Sequence, residues 1–568
     1  MKKKLTLFLC LIACQMTFAG QVTETQARQK AQKFLKERLL GEGSHARLKT
    51  AVQTANHQLF YVFNAVDDGG YVIVSGDDRT KEILAFSEHG NLDLANIPEH
   101  MKWWLGYYER SIASLGQKTY ATRAVRREAR KDVDVLINTT WHQESPFNDD
   151  CPEIGTGRCL TGCMATAMAQ VMNYWQWPKA VDEIPAYDPW KDLLFGPSMK
   201  ALPATSFNWE VITTNNRKDS EFKKEVAKLC RYCGQSVRMG YATNNEGGSK
   251  VLDGMGPVGL VNHFGYDKGV HNVYRGAFSD EDWENIIYNE LANGRPVIYS
   301  GQTEAIYSGK PYGHTFICDG YKEIEGVGFF SINWGWGNAD TWCVLSLLDS
   351  GRIAPFTEDQ SAIIGIQPPT AENEVNYKQL SITNLNLLTS PILTRESLTE
   401  SFPSAYFNWV VKNTVLESTT AEVHFVLVRD NIMADYVPNS FEIKPGWHIS
   451  SSENQISLGP NTRDGVYRFY PSYKMQGETT GLKPVEGSDY RYIEIKVSGL
   501  KMIMTVYPIE HLQGDANDDG VVSETDKYTI MDTIAAGIYD KNCDVNTDGK
   551  VTVADIVALL DILENNEQ

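Results

Sequence analysis

The sequence predicts a multidomain chain: an α+β block, a larger α+β block, an all-β sandwich and a small α-helical module, in that order behind an export signal. Three observations carry this expectation. The chain has 568 residues, more than one hydrophobic core serves. Near residue 371 the apolar pattern changes from mixed helical and strand periods to short alternating segments separated by turn residues. From residue 512 onward one Asp- and Asn-rich pattern occurs twice, each time followed by a helical period.

The N-terminus, MKKKLTLFLCLIACQMTFAG, has a basic start at Lys2, Lys3 and Lys4, a short apolar run from Leu5 to Ala13, and the small residues Thr17 and Ala19 before a cut near Gly20. Residues 1–19 therefore read as a signal peptide. The apolar run is shorter than the roughly 20 residues of a spanning helix. Leu11-Ile12-Ala13-Cys14 also resembles a bacterial lipoprotein box. The expected location is secreted or at the bacterial cell surface, with an outer-membrane lipoprotein held through Cys14 as the alternative.

Composition is ordinary for a folded protein, with 42% hydrophobic and 11% aromatic residues. A net charge of −19 argues against nucleic acid as a partner. Membrane association is expected only if Cys14 is lipidated. Eight of the ten cysteines lie beyond the signal, too sparse for a disulfide scaffold. Cys230 and Cys233 form a C-x-x-C, but no second Cys or His pair stands at zinc spacing, so they read as packing on a helix face.

Residues 20–132 form the first block. QARQKAQKFLKERL is an amphipathic helix with Ala27, Ala31, Phe34, Leu35 and Leu39 on one side. QLFYVFNAV and GGYVIVSGDD read as strands joined at Asp67-Asp68-Gly69-Gly70, and MKWWLGYYERSIASL as a second helix. Lys118–Asp132 is basic and lacks a core pattern, as exposed, protease-sensitive linkers do. The second block spans 133–368. In 371–510, SAYFNWVVKN, AEVHFVLVRD, GVYRFYPSY, YRYIEIKVSG and KMIMTVYPI alternate as strands of a sandwich, of Ig-like type.

The second block holds a reactive constellation. In TGCMATAMAQVMNYWQWP a glycine and Cys163 precede a helix whose N–H groups and dipole favour a thiolate. His314, in YGHTFICDGY, follows Cys163 by 151 residues. Asn333 in FFSINWGWGN has an amide able to hold an imidazole, and Trp334 a ring able to shield that bond. Gln143, in WHQESPFN, offers a side-chain amide to share an oxyanion with the Cys163 N–H.

These stretches, with GYATNNEGGSKV, FSDEDWENIIYNELANGRPVIYSG and SAIIGIQP, resemble the streptopain–interpain family of bacterial cysteine peptidases. The resemblance implies a papain-like fold for 133–368, with Cys163 as nucleophile, His314 as general base, Gln143 as oxyanion donor, and Asn333, Trp334 and Trp336 supporting the His. It implies acyl transfer through a Cys163 thioester, protein or peptide substrates, and no cofactor for catalysis. It places the loop from Gly240 to Ser249 at the cleft, with Gly240, Tyr241, Gly247, Gly248 and Trp336 as substrate-binding residues. Two positions depart from the family: Thr315 stands where Ala usually follows the His, and Asn338 where a Gly usually ends the Trp-Gly motif. GGYVIVSGDDR resembles the propeptide of these zymogens, so 20–132 is expected to cover the site until the linker is cut.

In 512–568, GDANDDGVVSETD and CDVNTDGKVTVAD fit EF-hand-type loops. Asp515, Asn517, Asp519, Val521, Ser523 and Asp526 would ligate one Ca²⁺, and Asp544, Asn546, Asp548, Lys550, Thr552 and Asp555 a second, with Val521 and Lys550 donating backbone oxygens. Gly520 and Gly549 supply the sharp turn. The module resembles dockerins, which implies a cohesin-like or other docking partner. A surface adhesion or scaffold-docking protein with a minor or inactive peptidase fold is the alternative function.

Overall fold

In the computed structural model the described residues are 21–38, 48–52, 59–97, 99–115, 129–155, 157–192, 194–303, 312–337, 341–347, 360–370, 377–429, 432–479, 481–508, 514, 516, 522, 524, 526–536, 543, 545–546 and 550–566. The signal peptide, the lipidation position Cys14 and most of the linker lie outside them.

The first block packs helix α1 (Glu24–Arg38) against a meander of β1 (Leu48–Val52), β2 (Phe60–Ala65), β3 (Tyr71–Ser75) and β4 (Ile83–Ser87), followed by helix α2 (Glu99–Leu115). The turn between β2 and β3 falls where the Asp-Asp-Gly-Gly run predicts it. Asp68 and Gly70 take φ of 55° and 100° there, the left-handed region such turns require.

The second block has a helical side and a sheet side. Its short ladders pair β5 (Glu153–Ile154) with β6 (Gly157–Arg158) and β7 (Ala180–Val181) with β8 (Thr205–Ser206). Helix α3 (Cys163–Trp175) packs on α5 (Ser220–Ser236), past the single turn α4 (Trp209–Ile212). Asp219 caps α5 by accepting from the Glu221 N–H at 2.9 Å. Cys230 and Cys233 lie buried on α5, where their side chains pack in the core; all eight cysteines beyond the signal are free thiols. The turn α6 (Met255–Val258) leads to β9 (His271–Tyr274), and α7 (Asp280–Ala292) to β10 (Val297–Thr303), β11 (Tyr312–Ile324), β12 (Val327–Asn333), β13 (Thr341–Cys343) and β14 (Gln360–Ile364).

The two blocks share one sheet. Its ten strands run β1-β2-β3-β4-β13-β12-β11-β10-β14-β9, and the crossing is the antiparallel pairing of Ala85 with Cys343 and Phe86 with Trp342. One hydrophobic cluster joins them as well: Trp103, Trp104, Tyr107 and Tyr108 of α2 pack with Tyr299, Phe316 and Trp334. Arg130 ends the linker against the second block. Its N–H donates to Glu323 at 3.0 Å, and its guanidinium lies over the Tyr288 ring, 5.0 Å from the centroid.

All five segments predicted as sandwich strands form strands. Three, β15 (Leu380–Leu387), β17 (Ala405–Asn413) and β20 (His448–Ile456), make one sheet. The other contains β16 (Ile392–Thr394), β18 (Thr419–Arg429), β19 (Ile432–Ile443), β21 (Gly465–Met475), β22 (Lys483–Pro484), β23 (Tyr492–Ser498) and β24 (Lys501–Tyr507). In β17 burial alternates residue by residue, and Phe407, Trp409 and Val411 meet Phe425 and Phe469 in the core between the sheets. The last unit has helices Asp526–Ala536 and Val553–Asn566 around a small core of Ile530, Cys543, Val545 and Leu559.

Candidate active site

Cys163 is the first residue of α3 because Gly162 turns the chain into the helix at φ +90°. That φ strains any side-chain-bearing residue, and a Cβ at Gly162 would also stand 2.6 Å from the Met239 methyl, which would have to move. The segment ahead of the cysteine is tied on both sides. The Thr161 N–H and hydroxyl donate to the Gln143 carbonyl at 3.0 and 3.2 Å, and the Leu160 N–H donates to the Ala242 carbonyl at 3.0 Å. Gln143 is thereby fixed two residues from the nucleophile. It is buried, and among the described residues its carboxamide has no hydrogen-bond partner.

The Cys163 sulfur is reached by the Thr315 N–H and hydroxyl and by the N–H groups of Met164 and Cys163 itself, all of which favour the thiolate. Burial outweighs them and pushes the thiol up from its ordinary value. The lowering expected at a helix N-terminus is thus outweighed here, although Cys163 as a whole is only half-buried. Thr315 is further held by a 2.9 Å hydroxyl contact with Ser300, its partner across the β10–β11 ladder.

His314 is one residue away, on β11. It pairs with Gly301, and directly paired residues share a face, as do residues two apart. His314, Gly301 and Phe316 thus belong to the face that α2 covers. The Trp103 ring occupies the space where a Cβ on Gly301 would stand, and Trp103 and Trp104 lie 6.4 and 5.7 Å from the Phe316 ring. Thr315, on the opposite face, is what the sulfur meets. The other histidines of this block have different surroundings: His271 stacks on Tyr377 at 3.7 Å, burial lowers the pKa of His263, and His142 packs edge-on to Phe147.

The INWGWG segment adjoins the site, yet its residues differ from their expected roles. Asn333 donates to the Thr139 carbonyl at 2.7 Å and accepts from the Gly335 N–H at 3.0 Å. Both ends of its amide are thus engaged away from the imidazole. With Gln170, which takes the Thr139 hydroxyl at 2.9 Å and the Trp141 N–H at 3.1 Å, it joins β12 to α3 and to the strand leading to Gln143. Trp334 does not cover an Asn–His bond; its indole N–H donates to Thr341 at 3.0 Å and its ring packs 5.1 Å from Phe316, inside the core shared with α2. Trp336 is half-buried against the same core. The glycines around it bring the loop to α3 and His142: a Cβ on Gly335 would sit 3.5 Å from Thr166, and one on Gly337 3.4 Å from His142.

The 240–249 loop does border the nucleophile's segment. Gly240 pairs with Lys250, and the Ser249 hydroxyl donates to the Leu160 carbonyl at 2.7 Å. Gly247 and Gly248 turn at φ 90° and 73° after a Thr243–Glu246 capping box. Tyr241 is a correction. Its side chain is fully buried beneath Arg231 and faces the core, out of a substrate's reach. Sequence reasoning noted Thr315 only as a departure from a pattern. It missed Trp103 and Gly301, for which a bare glycine in a strand was the available signal.

In the C-terminal unit Asp526 and Asp555 are fully buried. Asp555 accepts from the N–H groups of Thr552 at 2.7 Å and Asn546 at 3.1 Å. Lys550 is exposed. Asp515, Asn517, Asp519, Val521, Ser523, Asp544 and Asp548 lie outside the described residues, so the two predicted ligand sets are only partly visible.

Comparison with known proteins gives these elements a context. The model of the peptidase C10 family matches residues 141–342, and that of the Spi protease inhibitor matches residues 19–112. The chain is 30% identical over 398 residues to the thiol protease/hemagglutinin PrtT of Porphyromonas gingivalis, spanning 65% of this chain but only 44% of PrtT. It is 32% identical over 341 residues to streptopain of Streptococcus pyogenes, spanning 54% of this chain and 80% of streptopain. Among solved structures, a fragment of Prevotella intermedia prointerpain A is 29% identical, with 56% of this chain and 99% of that chain covered and a TM-score of 0.46. Active interpain A is 31% identical, with 44% and 100% covered and a TM-score of 0.36. The chain belongs to the C10 family of cysteine peptidases and carries an inhibitor-type domain ahead of its peptidase domain.

Proposed function

We propose that the protein is the secreted zymogen of a cysteine endopeptidase that hydrolyses peptide bonds in proteins. The observation that carries this reading is the pairing of a helix-heading Cys163 with an unpartnered Gln143 carboxamide, fixed to the same segment through Thr161. In the matured enzyme His314 takes the Cys163 proton, and the sulfur attacks the scissile carbonyl. Gln143 and the Cys163 N–H hold the oxyanion. The imidazolium gives its proton to the leaving amine, and water, activated by His314, hydrolyses the thioester.

The placing of His314 on the face that α2 covers supports latency in the intact chain. Maturation is a cut in the linker before Arg130, after which α2 and its sheet leave. Export through the N-terminal signal keeps the active form outside its producer.

The C-terminal unit binds two Ca²⁺ in this reading. Its buried Asp526 and Asp555, each early in a helix, suit position 12 of the two loops, and a core this small calls for such a staple. A docking role for the same unit is supported by the exposed apolar residues Tyr528 and Met531 on one helix and Val553, Val557 and Leu560 on the other.

The test is casein cleavage by purified pro-protein, wild type against Cys163→Ala, before and after an added protease cuts the linker. Digestion by the cut wild type alone supports the proposal. Inert protein in every arm removes it and leaves the adhesion or docking reading.

A further inference from the structure

The sandwich is built into the peptidase domain. Tyr274 donates to the Asn413 carbonyl at 3.1 Å, Asn262 to that of Leu416 at 3.2 Å, and Lys412 pairs with Asp253 at 3.3 Å. Leu416 is buried in the helical-side core of the peptidase domain. The glycines Gly254 and Gly446 meet with no room for a side chain: a Cβ on Gly446 would lie 2.5 Å from the Asp253 carbonyl.

Along this seam lies a cavity of about 320 Å³. Leu194, Val237, Leu252 and Met255 of the peptidase domain and Pro445 and Trp447 of the sandwich give it apolar walls. Its charged lining is already matched. Arg238 pairs with Asp192 at 2.7 Å, Lys444 with Glu442 at 3.4 Å, and Glu417 with Lys378 at 3.3 Å. Each of these charges has an opposite charge beside it, so the apolar walls set the chemistry, which favours a neutral, apolar group. Beside it stand large aromatics open to solvent: Trp190 and Phe195, in edge contact at 4.8 Å, and Trp447.

The cavity shares its wall with the nucleophile's segment. Met239 and Ser249 are the atoms that confine Gly162, while Val237 and Leu252, two and three residues further along the same strands of chain, line the cavity. Met255 heads the turn in which Gly256 rests on Met164, the residue after Cys163. The Phe195 carbonyl in turn confines Gly240, the first residue of the cleft loop. The cleft loop and the Leu194 wall of the cavity are therefore contiguous.

We infer that the seam between the peptidase domain and the sandwich is a substrate exosite, taking an apolar side chain of a protein substrate a few residues from the bond being cut. The inference rests on the peptidase reading above and adds to it a role for the sandwich. It is tested in the full chain with Trp447→Ala and Leu194→Glu, which alter the cavity from opposite domains. The ratio of kcat/KM on casein to that on a short chromogenic peptide is measured after linker cutting. Anisotropy of labelled casein binding is measured in the Cys163→Ala background. Both variants are expected to lower the ratio roughly tenfold and to weaken binding by a similar factor. An unchanged ratio with unchanged binding overturns the exosite, as does equal loss on both substrates, which marks a structural defect. Absence of turnover in the wild type would sink the peptidase reading instead, and the binding arm still decides the exosite.

Discussion

Trp103→Ala tests the latency mechanism without touching the mature enzyme, since under the proposed maturation Trp103 leaves with the first block. The indole is buried, with 5% of its surface exposed, fills the space over Gly301 and reaches the Phe316 ring; among the described residues its N–H has no hydrogen-bond partner, so its contribution is packing. Truncating such a tryptophan costs about 3–5 kcal/mol. If that loss falls on the contact between the two blocks, the open population rises roughly a hundred- to a few-thousandfold, at 1.4 kcal/mol per factor of ten. The assay is alkylation of Cys163 in intact pro-protein, followed by mass spectrometry, under conditions where opening and closing are faster than labelling. The rate then follows the open population. Trp103→Phe is expected to lie between wild type and Ala. A Trp103→Ala rate within a factor of three of wild type, with the fold intact by circular dichroism, would refute the claim that this ring holds the site closed.

Four further outcomes follow from the geometry. Thr315→Ala removes a hydroxyl that lowers the Cys163 pKa, so the thiol titrates higher and the alkylation rate profile of the matured enzyme moves to higher pH, with Thr315→Ser restoring it. Asn333→Ala leaves the Thr139 carbonyl and Gly335 N–H unpaired and is expected to cost about 1–3 kcal/mol in denaturant unfolding of the peptidase domain. Gly162→Ala forces a Cβ against Met239 at φ +90°, and soluble protein is expected to lose more than a hundredfold in kcat/KM, roughly the cost of a displaced nucleophile. Chelating calcium is expected to open the C-terminal helices to trypsin while casein cleavage by the cut enzyme persists, and Asp555→Ala to mimic it.

Local pattern made much of this legible. The apolar spacing after Cys163 marks α3, the Gly before it marks the turn, and β17 is written as strict alternation. What the sequence left unreadable is pairing across distance. ILAFS and TWC form short buried strands, but nothing local says that residues 85 and 343 are neighbours. Asn333 misled for the same reason. Its amide suits an imidazole, and only the fold reveals that Thr139 and Gly335 reach it first. Tyr241 sits in a glycine-rich loop, where exposure is the natural expectation; its burial under Arg231 is set by α5.

The antiparallel seam at Ala85 and Cys343 has a consequence for lifetime. While the first block is present, the sheet has a neighbour on that side and a complete core beneath it. If it departs on maturation as proposed, β13 becomes a bare rim, and a molecule that later unfolds lacks the partner against which the rim was first assembled. Maturation is then one-way. In that reading the working enzyme persists by the height of its unfolding barrier, as a kinetically trapped state, and its half-life is a rate set by that barrier and not an equilibrium with a refoldable chain.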